Sequence, residues 1–246
     1  MSSFSANAQL PLSVQIRDDA SFDNYHVGSN RELVDCLKRA CEGKVSDGAI
    51  FISGPAGVGK THLMQAACHV AEKKQVNSVY LPMAELHQES VDLLEGLESL
   101  PLICIDDLQC ISGNRAWEQA LFHLYNRVFE QGTQLVFCAD KVINNLGLEL
   151  ADLASRLAWG FVYRLHALSD EEKLEALQIK ATRKGFELPS NVGQYLLRVY
   201  PRDMQALLDL LEELDVASLA AQKSRLTVPF VKNWLEQKSS SQSSLF

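Results

Sequence analysis

The chain has few basic residues and no long apolar run. It contains 23 Lys and Arg but 31 Asp and Glu, which gives a formal net charge of −8. This negative charge opposes tight binding to a phosphate backbone. No apolar stretch approaches the ~20 residues that a membrane-spanning helix needs. The N-terminus carries no basic region followed by an apolar one, so no export signal is expected. These absences argue against direct, strong DNA binding and predict a cytoplasmic protein.

The six cysteines form neither a metal-binding nor a disulfide pattern. None of them is spaced as C-x-x-C, and several lie within apolar segments, where a free thiol behaves as a small hydrophobic group. We therefore expect reduced cysteines and no structural metal. With 246 residues, the chain is long enough for one large domain or two small ones.

Residues 54–61 read GPAGVGKT and match the phosphate-loop pattern G-x-x-x-x-G-K-[ST]. The glycines let backbone N–H groups turn toward phosphate oxygens, the lysine supplies a charge, and the threonine hydroxyl can ligate Mg²⁺. An apolar strand precedes the motif and a helical pattern follows it, so the phosphates would lie at a helix N-terminus. The expected phosphate-binding residues are Gly54, Pro55, Ala56, Gly57, Val58, Gly59, Lys60, Thr61 and His62.

Strands and helices alternate through the first two thirds of the chain. Short apolar runs predict strands at 49–53, 78–82, 102–107, 134–138 and 160–165. A helix and a connection are expected at 83–100. This alternation predicts an α/β fold with a five-stranded, mostly parallel sheet.

Only helical patterns follow Leu168. Ser169 and Glu172 have the spacing of a capping box, which opens a helix to about Lys184. Further helices are expected at about 189–198, 202–217 and 227–237. The predicted divisions are a flexible N-terminal arm at 1–21, a nucleotide-binding domain at 22–167, a small all-helical lid domain at 168–237 and a serine-rich tail at 238–246.

Three acidic residues end predicted strands, where parallel sheets place ligand sites. Asp106 matches the acid that, together with Thr61, holds Mg²⁺ beside a bound nucleotide. Asp107 follows it and is a candidate to polarise the attacking water, although aspartate reaches less far than glutamate. Asp140 ends the next strand and is placed to orient water or to sense a γ-phosphate. An ordinary acid that caps the strand end is the alternative for each.

Two arginines are candidates for contacts with nucleotide phosphates, one on a neighbouring subunit and one within the chain. Arg156, near the end of a helix, would complete a neighbour's active site in trans, and Arg202, opening a helix of the lid domain, would contact the bound nucleotide in cis. The guanidinium group suits both tasks because it is always charged and spreads its donors across a phosphate. The alternative for each is a solvated arginine in a minor ion pair.

Six segments occur in the order found in the AAA+ module of the DnaA/Hda family, and they span about Phe22 to Trp234. They are FDNYHVG, GPAGVGKTHLMQA, ICIDDLQ, FCAD, SRLAWG and YPRDMQALL. DnaA itself carries a further N-terminal domain and a C-terminal helix-turn-helix domain, and its counterpart of the segment between Pro82 and Pro101 is longer. The chain therefore resembles the stand-alone members of the family.

That resemblance implies binding of ADP or ATP with Mg²⁺, with Tyr25 and Val27 against the base. It also implies docking on the DNA-loaded sliding clamp, the β subunit of DNA polymerase III. There, Arg156 would drive ATP hydrolysis by the initiator DnaA, so that origins do not fire again, while hydrolysis by the chain alone stays slow. The arginine needs a neighbour, either DnaA or another copy of the chain.

Three other functions stay open. The first is a DnaA-related loader that recruits a helicase or another replication factor, which would give no reason for clamp-binding peptides. The second is an ATPase that hydrolyses its own nucleotide. The third is a nucleotide-binding module in which Arg156 is merely structural.

Both termini resemble peptides that bind the sliding clamp. Residues 9–14, QLPLSV, are similar to the Q-L-x-L-x-L form, and the chain ends in QSSLF, similar to the Q-x-x-L-F form. Glutamine would place its amide in a polar notch while apolar residues fill a groove, and two tethered peptides would add avidity. An arm that packs on the domain and a low-complexity tail are the alternatives. The candidate clamp-binding residues are Gln9, Leu10, Leu12 and Val14, with Gln242, Leu245 and Phe246 at the other end.

Overall fold

The computed structural model describes residues 20–42 and 48–243, with side chains described as far as Lys238. These residues form two compact units, one of 20–42, 48–56 and 60–166, and the other of 57–59 and 167–243. The candidate clamp-binding segment at the N-terminus, 9–14, lies outside the described residues. So do Leu245, Phe246 and the side chain of Gln242 at the C-terminus.

The first unit is built on a sheet of five parallel strands in the order β2-β3-β4-β1-β5. The strands are β1 (Ile50–Ser53), β2 (Ser78–Pro82), β3 (Leu102–Asp106), β4 (Gln134–Ala139) and β5 (Phe161–Arg164). Every residue of β1, β3 and β4 is buried, as expected for parallel strands covered on both faces. The predicted α/β fold with a five-stranded sheet is confirmed.

Helices cover this sheet through apolar side chains. They are α1 (Arg31–Ala40), α2 (Lys60–Lys73), α3 (Met83–Leu86), α4 (Arg115–Gln131) and α5 (Ala151–Trp159). α2 packs on β2 and β3, whereas α4 packs on α5, which itself lies against β1 and β5. Phe51, Ile103 and Phe137 of the strands share a core with Trp117 and Leu121 of α4. The core thus holds the carboxyl ends of β1, β3 and β4 in fixed register.

The helix and the connection expected at 83–100 are both present, and the helix is short. α3 has only four residues, and two 3-10 turns follow, at Val91–Leu94 and Leu97–Ser99. Gly96 lies between them with φ +78°, a left-handed conformation that stops a helix. Leu94 and Leu97, one in each 3-10 turn, reach the core.

The second unit is all-helical, as predicted for the lid domain. It contains α6 (Asp170–Lys184), α7 (Ser190–Val199), α8 (Met204–Ala220) and α9 (Val228–Ser243). The capping box is formed, because the Glu172 N–H donates to Ser169 Oγ at 3.2 Å and the Ser169 N–H donates to Glu172 Oε2 at 2.8 Å. α9 runs past the expected end at 237, since no glycine or proline interrupts residues 230–243.

Membrane insertion through a helix finds no support in the described part of the chain. None of the helices there combines the length and the apolar character that crossing a bilayer requires.

Candidate nucleotide-binding site

The phosphate loop leaves the end of β1 and leads into α2. The Gly54 N–H donates to the carbonyl of Ala139 at 3.2 Å, which ties the start of the loop to the end of β4. Gly57 and Gly59 have φ of +76° and +96°, values that favour glycine over any side chain with a Cβ. Lys60 is buried, and its ammonium group donates to the carbonyls of Gly54 and Pro55 at 2.8 and 2.9 Å. The loop therefore holds its own cation in place.

Asp106 ends β3 as a fully buried carboxylate. The Tyr80 hydroxyl donates to its Oδ2 at 2.9 Å, and the Asp107 N–H donates to its Oδ1 at 2.9 Å. Burial raises the pKa of Asp106 above its ordinary value, while a hydrogen bond from Thr61 lowers it. Thr61 and Asp106 are thus neighbours, and Tyr80 is a support that sequence patterns did not indicate. A hydroxyl and a carboxylate are hard oxygen donors, and these residues fit Mg²⁺.

Asp107 and Asp140 lie at the ends of β3 and β4. Asp107 has a left-handed backbone with φ +55°, a conformation that aspartate adopts more readily than most residues. Gln109 donates from Nε2 to Asp107 Oδ1 at 2.8 Å and accepts the Asp140 N–H on Oε1 at 3.1 Å. Burial raises the pKa of the nearby Cys110 thiol, and the charges of Asp107, Asp140 and Asp106 add to the effect. The structure therefore gathers all three predicted acids in one cluster.

Tyr25 lies beside the start of α2, where the sequence resemblance puts a contact with the base. Its ring stacks on that of His62, with centroids 5.9 Å apart, and burial raises the pKa of Tyr25 to about 12. Asn30 donates to the Tyr25 hydroxyl at 3.4 Å and exchanges hydrogen bonds with the backbone of His166. Val27 precedes the 3-10 turn Gly28–Asn30 and is half-buried. Asn30 is a second support that the sequence did not reveal.

Arg156 is exposed in the last turn of α5, and its guanidinium carbon lies 5.9 Å from the ring centroid of Tyr125. No ion pair to a carboxylate is found for it within the described ranges. Trp159, three residues after Arg156 on α5, packs its exposed ring on that of Phe129 from α4, which is also exposed, with centroids 5.4 Å apart. An unpaired cation with exposed apolar neighbours is typical of a surface that meets a partner.

Arg202 belongs to the second unit, where it forms an exposed ion pair with Asp170 at 3.4 Å. Such a pair contributes little to stability because solvent screens it. The role of Arg202 as a nucleotide sensor stays a prediction.

Glu118 of α4 holds the start of α5. Its side chain is fully buried, and its carboxylate accepts the N–H groups of Gly113, Glu149 and Leu150 at 2.8, 3.2 and 2.7 Å. Leu150 caps the N-terminus of α5, the helix that carries Arg156. A single carboxylate thus accepts hydrogen bonds from three backbone N–H groups and fixes the N-terminus of α5.

Substitution of Glu118 by alanine should lower the free energy of unfolding by about 3 kcal/mol, because it leaves these donors without their acceptor. Chemical denaturation would measure the loss. Glu118→Gln keeps one acceptor oxygen and should lose less, and Glu130→Ala, at an exposed position of the same helix, should change little. Equal stability of the two alanine variants would show that Glu118 does not hold α5.

Two family models match the chain. Residues 16–164 match the bacterial DnaA ATPase domain, and residues 170–235 match the lid domain of Hda. Together they cover both units, the first model alone matching more than half of the chain.

Solved structures agree with these matches. AMPPCP-bound DnaA from Aquifex aeolicus is 27% identical, with a TM-score of 0.69 over 80% of this chain and 66% of that one. A replication initiator DnaA bound to AMPPCP and single-stranded DNA is 26% identical, with a TM-score of 0.70 over 84% and 69%. Domain III of Thermotoga maritima DnaA shares the fold at 20% identity, with a TM-score of 0.73 over 91% and 98%. The chain belongs to the DnaA/Hda family of AAA+ proteins.

Proposed function

We propose that this protein regulates the initiation of chromosomal replication by stimulating ATP hydrolysis on the initiator DnaA. The observation that carries the proposal is Arg156, which is exposed and has no ion-pair partner within the described residues. In a protein of this family, an arginine held in that way is available to a nucleotide bound by another subunit. A guanidinium there stabilises the charge that develops on the transferred phosphoryl group.

The chain itself binds an adenine nucleotide, ADP or ATP, at the phosphate loop. Two DnaA relatives bind AMPPCP, and the same loop pattern is present here as residues 54–61. Thr61 and Asp106 would hold Mg²⁺, which supplies positive charge beside the phosphates when it is bound. Tyr25 and Val27 would lie against the base, and Arg202 would contact the phosphates from the lid domain.

The surface beside Arg156 would provide the contact with DnaA. Trp159 follows Arg156 by three residues on α5, so both lie on one side of the helix. The exposed fractions of Trp159 and Phe129 are 56% and 55%. Burying these two rings against a partner would stabilise the complex while the guanidinium reaches the phosphate.

Docking on the sliding clamp would concentrate the protein where DnaA is to be inactivated. The N-terminal motif with Gln9, Leu10, Leu12 and Val14 is the candidate ligand of the clamp. DNA contact is then indirect, because the net charge of −8 opposes a direct one.

The proposal is tested by mixing ATP-bound DnaA, the protein and a sliding clamp loaded on DNA, and by following the conversion of ATP to ADP. The combined variant Leu10→Ala and Leu12→Ala should lose most of the stimulation and retain its nucleotide affinity, since the apolar anchors of the peptide are gone. Full stimulation by this variant, or by the wild type without clamp, would show that stimulation does not require docking on the clamp.

Deleting Leu245 and Phe246 and measuring the affinity for the sliding clamp examines the second candidate peptide. A second clamp ligand predicts a loss of avidity and weaker clamp binding. An affinity equal to that of the full-length chain would end the idea of two clamp ligands.

A further inference from the structure

The side chain of Gln109 joins two strand ends that carry candidate functional acids. It stands two residues after Asp107 in the 3-10 turn Leu108–Ile111, which follows β3. Its Nε2 lies 2.8 Å from Asp107 Oδ1, and its Oε1 lies 3.1 Å from the backbone nitrogen of Asp140. One amide group therefore spans the gap between the ends of β3 and β4.

The orientation of this amide follows from the chemistry of its two partners. The carboxylate of Asp107 can only accept a hydrogen bond and the N–H of Asp140 can only donate one. Only one of the two amide orientations satisfies both, with nitrogen toward the acid and oxygen toward the strand end. The bridge thus has a fixed direction and resists rotation.

The backbone around Asp107 makes this bridge the main restraint on its carboxylate. Asp107 has φ +55°, and its carbonyl accepts the N–H of Cys110 at 2.9 Å while its own N–H donates to Asp106. The main chain is therefore fixed in a rare conformation, whereas the half-buried side chain has Gln109 as its hydrogen-bond donor. Removal of the amide would free the carboxylate to rotate.

The charges in the cluster give a reason for such a restraint. Asp106 and Asp107 are adjacent carboxylates at the end of β3, so repulsion between them would drive a free Asp107 side chain away from Asp106. A neutral amide that donates to Asp107 holds the acid in the cluster without adding charge to it.

We propose that Gln109 is a positioning residue that holds the Asp107 carboxylate toward bound nucleotide and couples it to the end of β4 at Asp140. This inference rests on the proposed nucleotide site, and it concerns hydrolysis by the chain itself, separate from the action of Arg156 on a partner. Asp107 would polarise the attacking water, and the bridge would hold its carboxylate in a fixed position relative to the end of β4. Misplacement of such a group by about 1 Å is enough to slow a reaction strongly.

The test combines single-turnover hydrolysis of bound ATP with hydrogen exchange at the Asp140 amide, in the full-length chain. For Gln109→Ala we expect exchange at Asp140 to rise about fivefold through the lost hydrogen bond. Hydrolysis should fall at least about tenfold, with ATP affinity within about twofold of wild type because the phosphate loop is untouched.

A second variant, Gln109→Glu, tests the two hydrogen bonds of Gln109 separately. Glutamate keeps an acceptor for the Asp140 N–H and removes the donor to Asp107, so exchange at Asp140 should stay slow while hydrolysis falls. In the double variant Asp107→Asn and Gln109→Glu, the new amide donates to the new carboxylate. The thermal stability of this double variant should be close to that of wild type, and its hydrolysis should stay low, since asparagine does not accept a proton.

Each outcome separates this inference from the proposed function. A wild type that binds no ATP would contradict the nucleotide site itself. If ATP binds and is hydrolysed equally by wild type and Gln109→Ala, or is not hydrolysed by the wild type at all, only the positioning role of Gln109 is overturned.

Discussion

Replacement of Arg156 by alanine is expected to reduce stimulated ATP hydrolysis on DnaA by about 10³-fold, the effect of removing an arginine supplied in trans. The guanidinium is exposed at the end of α5 and contacts the ring of Tyr125. Its loss leaves no buried group unpaired, so the free energy of unfolding should change by no more than about 0.5 kcal/mol. The rate of DnaA-bound ATP conversion and a thermal melt of the variant check the two halves of the prediction.

Matched substitutions separate charge, geometry and general surface effects. Arg156→Lys keeps the charge and loses the planar fork of donors, so it should recover little of the stimulation. Arg115→Ala removes another exposed arginine, at the start of α4, and should stimulate as wild type does. A structural Arg156 would instead give a large fall in melting temperature together with lost nucleotide binding.

Gly160→Ala is expected to destabilise the first unit by about 4 kcal/mol. A Cβ at this position would lie 1.9 Å from the carbonyl oxygen of Ala49 and 2.8 Å from its nitrogen. Neither backbone atom can move away easily, because Ala49 directly precedes β1 and its carbonyl accepts the Phe161 N–H at 2.8 Å. The substitution would push β5 from β1 and disturb α5, and a thermal melt should show a fall of roughly 10 °C.

Gly132→Ala provides the control for this steric argument. Gly132 caps α4 with φ +73°, and a Cβ there would meet nothing within 4 Å. Its substitution therefore costs only the conformational strain of a left-handed alanine, about 1 kcal/mol. Similar melting temperatures for the two variants would show that the close approach of Gly160 and Ala49 is not needed for the fold.

The elements of the fold that can be predicted from the sequence are those that a short run of neighbouring residues determines. The apolar runs at 50–53, 102–106 and 134–139 are buried strands, and Ser169 with Glu172 forms the capping box that its spacing indicates. Local chemistry determines both, since a strand buried on two faces needs unbroken apolar residues and a helix start needs acceptors for its free N–H groups. The segment 83–100 has its predicted helix only at Met83–Leu86, and Leu94 and Leu97 reach the core through 3-10 turns on either side of Gly96.

The supports of the candidate site depend instead on residues far apart in the chain. Gln109 accepts the N–H of a residue 31 positions later, and Glu118 accepts N–H groups 31 and 32 positions later. Asn30 meets His166 across 136 positions. No local pattern marks such polar residues, because their partners are backbone groups that only the folded sheet and helices bring near.

The measurement that tests the central claim most directly is the lifetime of ATP on DnaA in the presence of ADP-bound wild-type protein and DNA-loaded clamp. We predict rapid conversion of DnaA-bound ATP to ADP, dependent on clamp and on Arg156. An unchanged lifetime, with nucleotide and clamp binding both intact, would contradict it and leave recruitment of a helicase or another replication factor as the function to examine.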